Sequence, residues 1–323
     1  VAGIPQHVTN IQISAFPPQA GDALDAMVAF QTRQLADLSE ETFHSDYQTM
    51  PPYEQGEVPV LIGICLESII EDRASRIAKA GIPLADLGIS GLAFANACFH
   101  IRPETGTGEQ PDLLIDIGSE SASLVVAANG RVLFAGSLGF GASRYARELA
   151  QLQDTPRSRS GKYQRGEIAV SALQQLVHEV QAAISCWQEQ DSHTGEVAIG
   201  TVVLGGGGAL LPDLVSGLAN TFDFQTDIIA PDLGPDCADP TIFTTAFGLA
   251  LQARNAARLS LSLAPTQVKW NAQRRRRTGV MAAATVLFCL ALVLLFSCNL
   301  FRLHRQRTHL AKARQSLGQC EVV

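Results

Sequence analysis

One short segment of the sequence has the residue types that could bind a magnesium ion and a phosphate group. Asp116 ends the apolar run LLID, and Gly118 and Ser119 follow it in a turn that leads to the next apolar run. A carboxylate at the end of a strand can hold a hydrated Mg²⁺ ion, and the backbone N–H groups of small residues can approach phosphate oxygens. The segment therefore predicts a phosphate site, although similar turns also occur without a ligand.

A second segment is a run of four glycines, Gly205, Gly206, Gly207 and Gly208, between the apolar run TVVL and a predicted helix. Glycines let the backbone lie flat against a ligand, and the N-terminus of a helix favours an anion. A tight strand-to-helix turn would need the same residues without any ligand. The spacing fits neither the P-loop pattern GxxxxGK[ST] nor the dinucleotide pattern GxGxxG with its later acidic residue.

The elements that must position these segments alternate between strand and helix, which predicts the α/β class. Before residue 90 the predicted order includes a strand, a helix and two strands. The hairpin after Asp116 turns at Asn129 and Gly130, because Asn-Gly supplies the two positive φ angles of a type I′ turn. No internal repeat is visible, which argues against solenoids and propellers.

The predicted boundaries follow from hydrophobic periodicity and from turn residues. Strands are predicted at residues 8–16, 43–50, 58–65, 113–118, 121–127, 131–138, 201–204 and 224–230, and residues 82–90 are also predicted to be extended. Helices are predicted at residues 17–36, 66–81, 91–99, 168–190, 209–220 and 241–259, with an exposed loop at 151–167.

An uncharged apolar stretch near the C-terminus, Gly279–Phe301, is long enough to cross a membrane. At about 1.5 Å per residue, a helix of this length covers a hydrocarbon core of about 30 Å. A buried core helix is the alternative, but it would rarely run so far without a polar face. Basic residues bracket the stretch on both sides, so they do not decide its orientation. No signal peptide opens the sequence, which favours a cytoplasmic N-terminal body.

The net charge of −7 is unevenly distributed along the chain. After residue 268 there are ten basic residues and one acidic residue, so the body before it is strongly acidic. An acidic body argues against nucleic-acid binding, and a basic tail beside an apolar stretch favours contact with membrane lipid. The seven cysteines form no CxxC pair, and we predict that they are reduced and hold no metal.

The order of these motifs resembles the second half of the actin-like ATPases. The segments LLIDIGSESASLVVAANGRVLFAGSLGFGA, EVQAAISCW, VVLGGGGALLPDL and TTAFGLALQA are similar to those of the PilM family of pilus-assembly proteins, and the resemblance covers residues 1–252. It implies an actin-like (ribonuclease-H-like) fold with an inserted strand-helix-strand-strand subdomain, and the remaining apolar stretch adds one transmembrane helix.

The resemblance also implies a site for ATP or ADP with Mg²⁺. Asp116 would face the metal, through its bound water, and the phosphates, while Gly118 and Ser119 would contact phosphate. Glu179 would touch the ribose, and the four glycines would flank the adenosine. No catalytic residue is assigned, so at most a weak ATPase is expected. We also expect the family's first phosphate loop to be missing, since Val1 aligns partway through the first lobe.

The C-terminal part is similar to a different group of proteins. The run LSLAP, a polar linker, four arginines and the apolar stretch resemble the start of PilN-type partner proteins. A PilM-like body joined to such an anchor is also similar to the secretion protein GspL. Leu303, Leu310 and Leu317 lie seven residues apart and would suit either the start of a coiled coil or a solvated helix.

These observations predict five parts of the chain. They are an inserted subdomain (1–90), the rest of the first lobe with the second lobe (91–255), a linker with the basic run (256–278), the transmembrane helix (279–301) and the start of a periplasmic segment (302–323).

The function that fits these parts is a single-pass inner-membrane scaffold for type IV pilus assembly. Its cytoplasmic body would bind ATP or ADP and dock partners of the PilN and PilO type or the GspM type. The alternatives are a GspL-like component of type II secretion, a nucleotide-free structural protein, and a kinase or ATPase of the same superfamily. Asp116 has no second acid or histidine beside it at the hairpins, which disfavours the alternative of a kinase or ATPase.

Overall fold

The computed structural model describes residues 1–18, 23–36, 42–53, 56–143, 145–147, 159–190, 198–222, 224–265, 268, 285–303, 305 and 307. The chain divides into two units, residues 1–268 and residues 269–323.

The first unit alternates strands and helices in the order that the sequence predicts, with one further strand at Ala2–Ile4 that was not predicted. Its strands are β1 (Ala2–Ile4), β2 (Thr9–Phe16), β3 (Phe43–Thr49), β4 (Val58–Leu66), β5 (Leu87–Ile89), β6 (Asp112–Ile117), β7 (Ala122–Ala128), β8 (Arg131–Leu138), β9 (Thr201–Gly205) and β10 (Gln225–Ile228). Its α-helices are α1 (Leu24–Ala36), α2 (Glu67–Lys79), α3 (Ser90–Ile101), α4 (Arg159–Gln190), α5 (Pro212–Phe222) and α6 (Thr244–Ala253). Short 3₁₀ turns lie at Gln6–Val8, Gly207–Leu210 and Pro240–Phe243.

A five-stranded sheet with the order β10-β9-β6-β7-β8 carries the second half of this unit. β10, β9 and β6 run parallel, whereas β6, β7 and β8 form an antiparallel meander. Successive residues of β6 face opposite sides, so Ile115 and Ile117 join the core that contains α4 and α5, while Leu114 joins the core that contains α3. Since both faces are covered, the strands are continuous apolar runs.

The predicted turn between β7 and β8 is confirmed. Asn129 has φ 52° and Gly130 has φ 73°, the left-handed values that a type I′ turn requires. Ala128 pairs with Arg131 directly beside the turn, so the hairpin is closed by two residues.

A smaller three-stranded antiparallel sheet, in the order β2-β4-β3, precedes the large sheet in the chain. Helix α1 covers one face of it, where Val28 packs with Phe16, Val60, Ile62 and Ile64. The predicted order of strand, helix, strand and strand is therefore confirmed. β1 pairs with β5 in a separate parallel pair.

An extended segment after α6, residues 258–264, lies against the first unit, and we call it the strap. Asn96 holds its main chain by accepting a hydrogen bond from the Leu259 N–H and donating one to the Leu259 carbonyl, both at 2.8 Å. Gln48 holds the Ser260 N–H and the Arg258 carbonyl in the same way, both at 2.7 Å. The apolar side chains of the strap are buried, namely Leu259, Leu261, Leu263 and Ala264. The strap therefore belongs to the core.

Three boundaries differ from the prediction by more than five residues. Helix α1 begins at Leu24 rather than at 17, because the proline that follows Pro17 disfavours a helical backbone there; residues 19–22 lie outside the described part of the chain. Helix α4 begins at Arg159, inside the loop predicted for 151–167, because Lys162, Gln164 and Arg165 are good helix formers that extend it; residues 151–158 lie outside the described part of the chain. Helix α6 ends at Ala253 rather than continuing to 259, since Asn255 takes the left-handed φ of 55° that commonly ends a helix.

In the second unit, the structure describes the helix α7 (Thr285–Leu303), which is long and apolar enough to cross a membrane, with a mean hydropathy of 2.3. It runs two residues beyond the predicted end at 301. An arginine near the end of such a helix can extend its charged group to the membrane surface, so Arg302 does not terminate it. The predicted start at 279, Leu310 and Leu317 lie outside the described residues.

Candidate functional site

The two segments singled out in the sequence meet at one edge of the large sheet. Because β6 and β9 are parallel neighbours, their carboxyl ends lie side by side, and Asp116 pairs in register with Gly205. The carboxyl edge of parallel strands is where ligands bind in open α/β sheets. The sheet topology therefore brings the predicted carboxylate and the predicted glycine turn together.

Gly206 makes the closest approach between them. Its φ of 77° is in the range that favours glycine, and a Cβ atom there would lie 2.4 Å from Asp116 Oδ1 and 2.6 Å from the Ile117 carbonyl oxygen. The glycine turn thus lies directly against the carboxylate.

The other three glycines have different surroundings. A Cβ at Gly205 would lie 2.3 Å from the Phe94 ring, and one at Gly208 would lie 2.1 Å from the Ile117 side chain. At Gly207, the nearest atom would be Ile242 Cγ2 at 3.9 Å. Packing alone therefore accounts for Gly205 and Gly208, whereas a methyl group at Gly207 would make only an ordinary contact with Ile242.

Asp116 is partly buried, and its Oδ2 accepts a hydrogen bond of 2.6 Å from the Thr245 hydroxyl. Burial raises the pKa of Asp116 above its ordinary value, and the bond from Thr245 partly offsets this shift. A divalent cation would favour the ionised form. Within the described residues, no three His, Cys, Asp or Glu side chains form a metal cluster, so a Mg²⁺ ion here would depend mainly on water and phosphate ligands.

The turn after Asp116 is held by the chain that follows β8. The Gly118 N–H donates to the Ser121 carbonyl at 3.1 Å, and the Gly118 carbonyl accepts a hydrogen bond from Ala142 at 3.0 Å. The Ser119 carbonyl accepts another from Ser143 at 2.9 Å. The Gly118 N–H is therefore already used within the turn, and Ser119 is the residue of the pair whose side chain faces open space.

That open space is a cavity of about 400 Å³. It lies between the turn, the segment after β8 and helix α4, and it is lined by Ser119, Glu120, Gly139, Phe140, Gly141, Ser143, Tyr145, Arg147, Ser171, Ala172 and Gln175. Its volume is within the range of small-molecule sites, about 300–1,000 Å³. Its hydroxyl, amide and guanidinium groups suit a polar ligand, although Glu120 places one carboxylate among the lining residues.

Glu179 lies next to this cavity on α4. Its Oε2 accepts a hydrogen bond of 2.9 Å from the Phe140 N–H, and its Oε1 accepts one of 3.0 Å from Gln175. Phe140 and Gln175 both line the cavity. The carboxylate predicted to touch a ribose is thus fixed beside the cavity, with each oxygen bonded to a lining residue.

Sequence reasoning missed Thr245, Arg147 and Gln175. Thr245 lies 129 positions after Asp116, and the only local signal is a threonine pair at the start of a helix. Gln175 lies four residues before Glu179 on α4, a spacing at which helical side chains meet. Arg147 has no signal in the sequence that marks it.

The family described as type IV pilus assembly protein PilM matches residues 17–253, well over half of the chain. The chain belongs to the PilM family. The match extends from the end of β2 to the end of α6, and the strap and α7 follow it. The predicted resemblance is confirmed.

A solved structure has a similar fold. The structure described as "PilM-PilN type IV pilus biogenesis complex" has a TM-score of 0.61 and 16% identity, and it covers 77% of each chain. MreB 5 of Spiroplasma citri bound to AMPPNP has a TM-score of 0.40 and 14% identity over 58% of this chain and 65% of that one. The search of curated protein sequences found no match. The PilM structure and the strand order confirm the predicted actin-like fold.

Proposed function

We propose that this PilM family member is a scaffold of the type IV pilus assembly platform whose body binds ATP or ADP with Mg²⁺. The observation that supports it best is the pairing of Asp116 with Gly205 at the carboxyl edge of the sheet, three residues before Ser119, which lines the cavity of about 400 Å³. A magnesium nucleotide needs a carboxylate, a close backbone approach and a polar cavity; the carboxyl edge of the sheet offers the first two, and the turn that contains Ser119 leads from it to the third.

The residues would divide the nucleotide between them. Asp116 would hold a water ligand of Mg²⁺, and Ser119 would donate its hydroxyl to a phosphate oxygen. Glu179, already fixed at the cavity by Phe140 and Gln175, would accept a hydrogen bond from a ribose hydroxyl. Gly207, where a methyl group would meet no close neighbour, would face the adenosine together with the other three glycines of the turn. The bound nucleotide would supply the metal ligands that the protein lacks.

A binding role requires less than catalysis. The partner of Asp116 is the Thr245 hydroxyl, and a hydroxyl cannot serve as a general base. Both carboxylate oxygens of Glu179 already accept hydrogen bonds within the protein. We therefore assign no catalytic residue and expect at most weak ATP turnover.

The membrane role rests on the strap and on α7. The strap contains the run that resembles the start of PilN-type proteins, and in this chain it is docked on the body. The similar solved structure is described as a PilM-PilN complex. We propose that the strap fastens the body to its own inner-membrane helix and that the body lies in the cytoplasm. The proposal retains the predicted division of the chain after residues 90, 255, 278 and 301. PilN-, PilO- or GspM-like proteins would be further partners. The presence of α7 in the same chain favours a GspL-like arrangement as the second candidate.

Nucleotide binding can be measured by titrating the purified full chain with a fluorescent ADP analogue and Mg²⁺. We expect saturable binding that Asp116→Ala weakens at least about tenfold, the effect of losing one charged contact. Removal of Mg²⁺ with EDTA should weaken the wild type similarly and Asp116→Ala very little. The control Glu71→Ala removes an exposed carboxylate from α2 and should bind as the wild type does.

Two results would contradict the proposal. If the wild type gives no saturable, Mg²⁺-dependent signal, the chain is a nucleotide-free structural protein. If Asp116→Ala binds as well as Glu71→Ala, the nucleotide lies elsewhere.

A further inference from the structure

Helix α6 makes a hydrogen bond to a different region at each of its ends. In its first turn, the Thr245 hydroxyl donates to Asp116 at 2.6 Å. In its last turn, Gln252 Nε2 donates to the Leu261 carbonyl of the strap at 3.0 Å and to Asp86 Oδ2 at 3.2 Å. Gln252 is more than nine-tenths buried. One short helix therefore touches both the candidate nucleotide site and the strap.

The strap depends on the residues around Gln252. Ser262 follows Leu261, and its N–H donates to Asp46 Oδ2 at 2.8 Å while its hydroxyl donates to Asp86. Asp86 thus accepts hydrogen bonds from both the strap and Gln252. A displacement of the last turn of α6 would disturb the strap at two neighbouring points.

The middle of α6 is held in place against α3. A Cβ atom at Gly248 would lie 1.7 Å from the Ala93 carbonyl oxygen, so the two helix backbones touch at this position. This backbone contact fixes the middle of α6, so a tilt of the helix would turn about Gly248.

The dimensions of α6 determine what a small tilt would do. At about 1.5 Å per residue, Thr245 lies about 4.5 Å from Gly248 along the axis, and Gln252 lies about 6 Å on the other side. A tilt that moves the first turn by about 0.8 Å moves the last turn by about 1 Å in the opposite direction. Shifts of this size are typical of switching helices, and they suffice to break a hydrogen bond of 3.0 Å.

We infer that α6 transmits occupancy of the nucleotide site to the strap, and so to the segment that leads to α7. This inference rests on the proposed function. Asp116 would release the Thr245 hydroxyl when its carboxylate accepts a hydrogen bond from a water ligand of Mg²⁺, and the first turn of α6 would lose this contact. The helix then tilts about Gly248, and Gln252 loosens its hold on Leu261. By reciprocity, loosening of the strap strengthens nucleotide binding by the same factor.

The test is hydrogen exchange of the strap amides in the detergent-solubilised full chain, with and without saturating Mg·ADP, while binding is followed with the fluorescent analogue. We expect the amides of Ser262 and Leu263 to exchange at least about fivefold faster with nucleotide. Thr245→Val removes the bond to Asp116 and should show the faster exchange without any nucleotide. Thr221→Val, which removes a hydroxyl bonded within α5, is the matched control and should behave as the wild type. Unchanged exchange in β6 and β7 would show that each variant is folded.

The outcomes separate the two proposals. If nucleotide binds but leaves the strap amides unchanged, the transmission through α6 is wrong and the nucleotide site stands. If nucleotide does not bind, both proposals are wrong. If Thr245→Val exchanges at the wild-type rate while folded, the bond between Thr245 and Asp116 does not control the strap.

Discussion

Two neighbouring glycines of the same turn should respond in opposite ways to a single methyl group. In Gly206→Ala, the added Cβ would lie 2.4 Å from Asp116 Oδ1 and 2.6 Å from the Ile117 carbonyl oxygen, and the backbone has φ 77° and ψ 178°. In Gly207→Ala, the nearest atom would be 3.9 Å away, with no left-handed φ. The pair therefore compares a strained, crowded site with an open one in the same loop.

The magnitude follows from strain and overlap. A residue other than glycine in the backbone conformation of Gly206 costs about 1–3 kcal/mol. Displacing the atoms of Asp116 and Ile117 adds about 1–3 kcal/mol, the usual range for overpacking. A total of about 2–5 kcal/mol should lower the Tm of a unit of this size by about 5–15 °C. Gly207→Ala should change it by no more than about 2 °C in either direction, because alanine restricts the unfolded chain slightly.

The assay is thermal unfolding of the full chain in detergent, followed by the fluorescence of Trp187, whose side chain is 1% exposed. Nucleotide titration of the same samples should show that Gly206→Ala loses binding through its displaced carboxylate. If Gly206→Ala and Gly207→Ala unfold within about 2 °C of each other, the contact between the glycine turn and Asp116 is wrong.

Three further predictions concern other parts of the molecule. Because burial raises the pKa of Asp116, its ionisation opposes folding once the pH exceeds the ordinary range near 4. The variant Asp116→Asn should therefore be more stable than the wild type at pH 7 and lose this advantage as the pH falls below 4, as measured by urea unfolding at each pH. Asn96→Ala leaves the Leu259 N–H and carbonyl without their partner, at about 2 kcal/mol or more, so trypsin should cut after Arg258 at least about tenfold faster. With the body in the cytoplasm, an impermeant maleimide should label Cys320 in intact cells from the periplasmic side.

Each of these has a control within the chain. Glu71→Gln should show no pH-dependent gain in stability. If both variants gain stability equally, burial of Asp116 is not the cause of the gain. Asn10→Ala, an exposed substitution on β2, should leave the cleavage rate unchanged. Labelling of Cys237, which lies in the body, should require permeabilised cells. If intact cells are labelled at Cys237 but not at Cys320, the orientation in the membrane is the opposite of the proposed one.

Local features of the fold could be predicted from the sequence because they depend on neighbouring residues. Asn129 and Gly130 determine their own turn by backbone preference, and the apolar runs of β6 and β9 indicate strands buried on both faces. The predicted helix start at 168 was wrong because the polar residues before it form a helix as readily as a loop, and the helix begins at Arg159.

Contacts between distant positions could not be read in the same way. Periodicity places Asp116 at the end of a strand, but it does not show that Thr245 lies opposite or that Phe140 occupies one oxygen of Glu179. The sequence could not show that Gly205 and Gly208 are required by packing, since a ligand and a neighbouring side chain exclude a methyl group equally well. The strap was predicted only as a run resembling a docking motif, because Gln48 and Asn96 precede it by more than 150 residues.

The alternation along β6 has a consequence for how cooperative the molecule is. Asp116 lies on the same side of the sheet as Leu114 and α3, whereas Glu179 and the cavity belong to the side of Ile115 and α4. A ligand that contacts both Asp116 and Glu179 must extend across the carboxyl ends of the strands. It would therefore link the apolar core on the α3 side of the sheet to the core on the α4 side. A bound nucleotide should then raise the temperature at which both layers unfold, in the single transition that their shared sheet imposes.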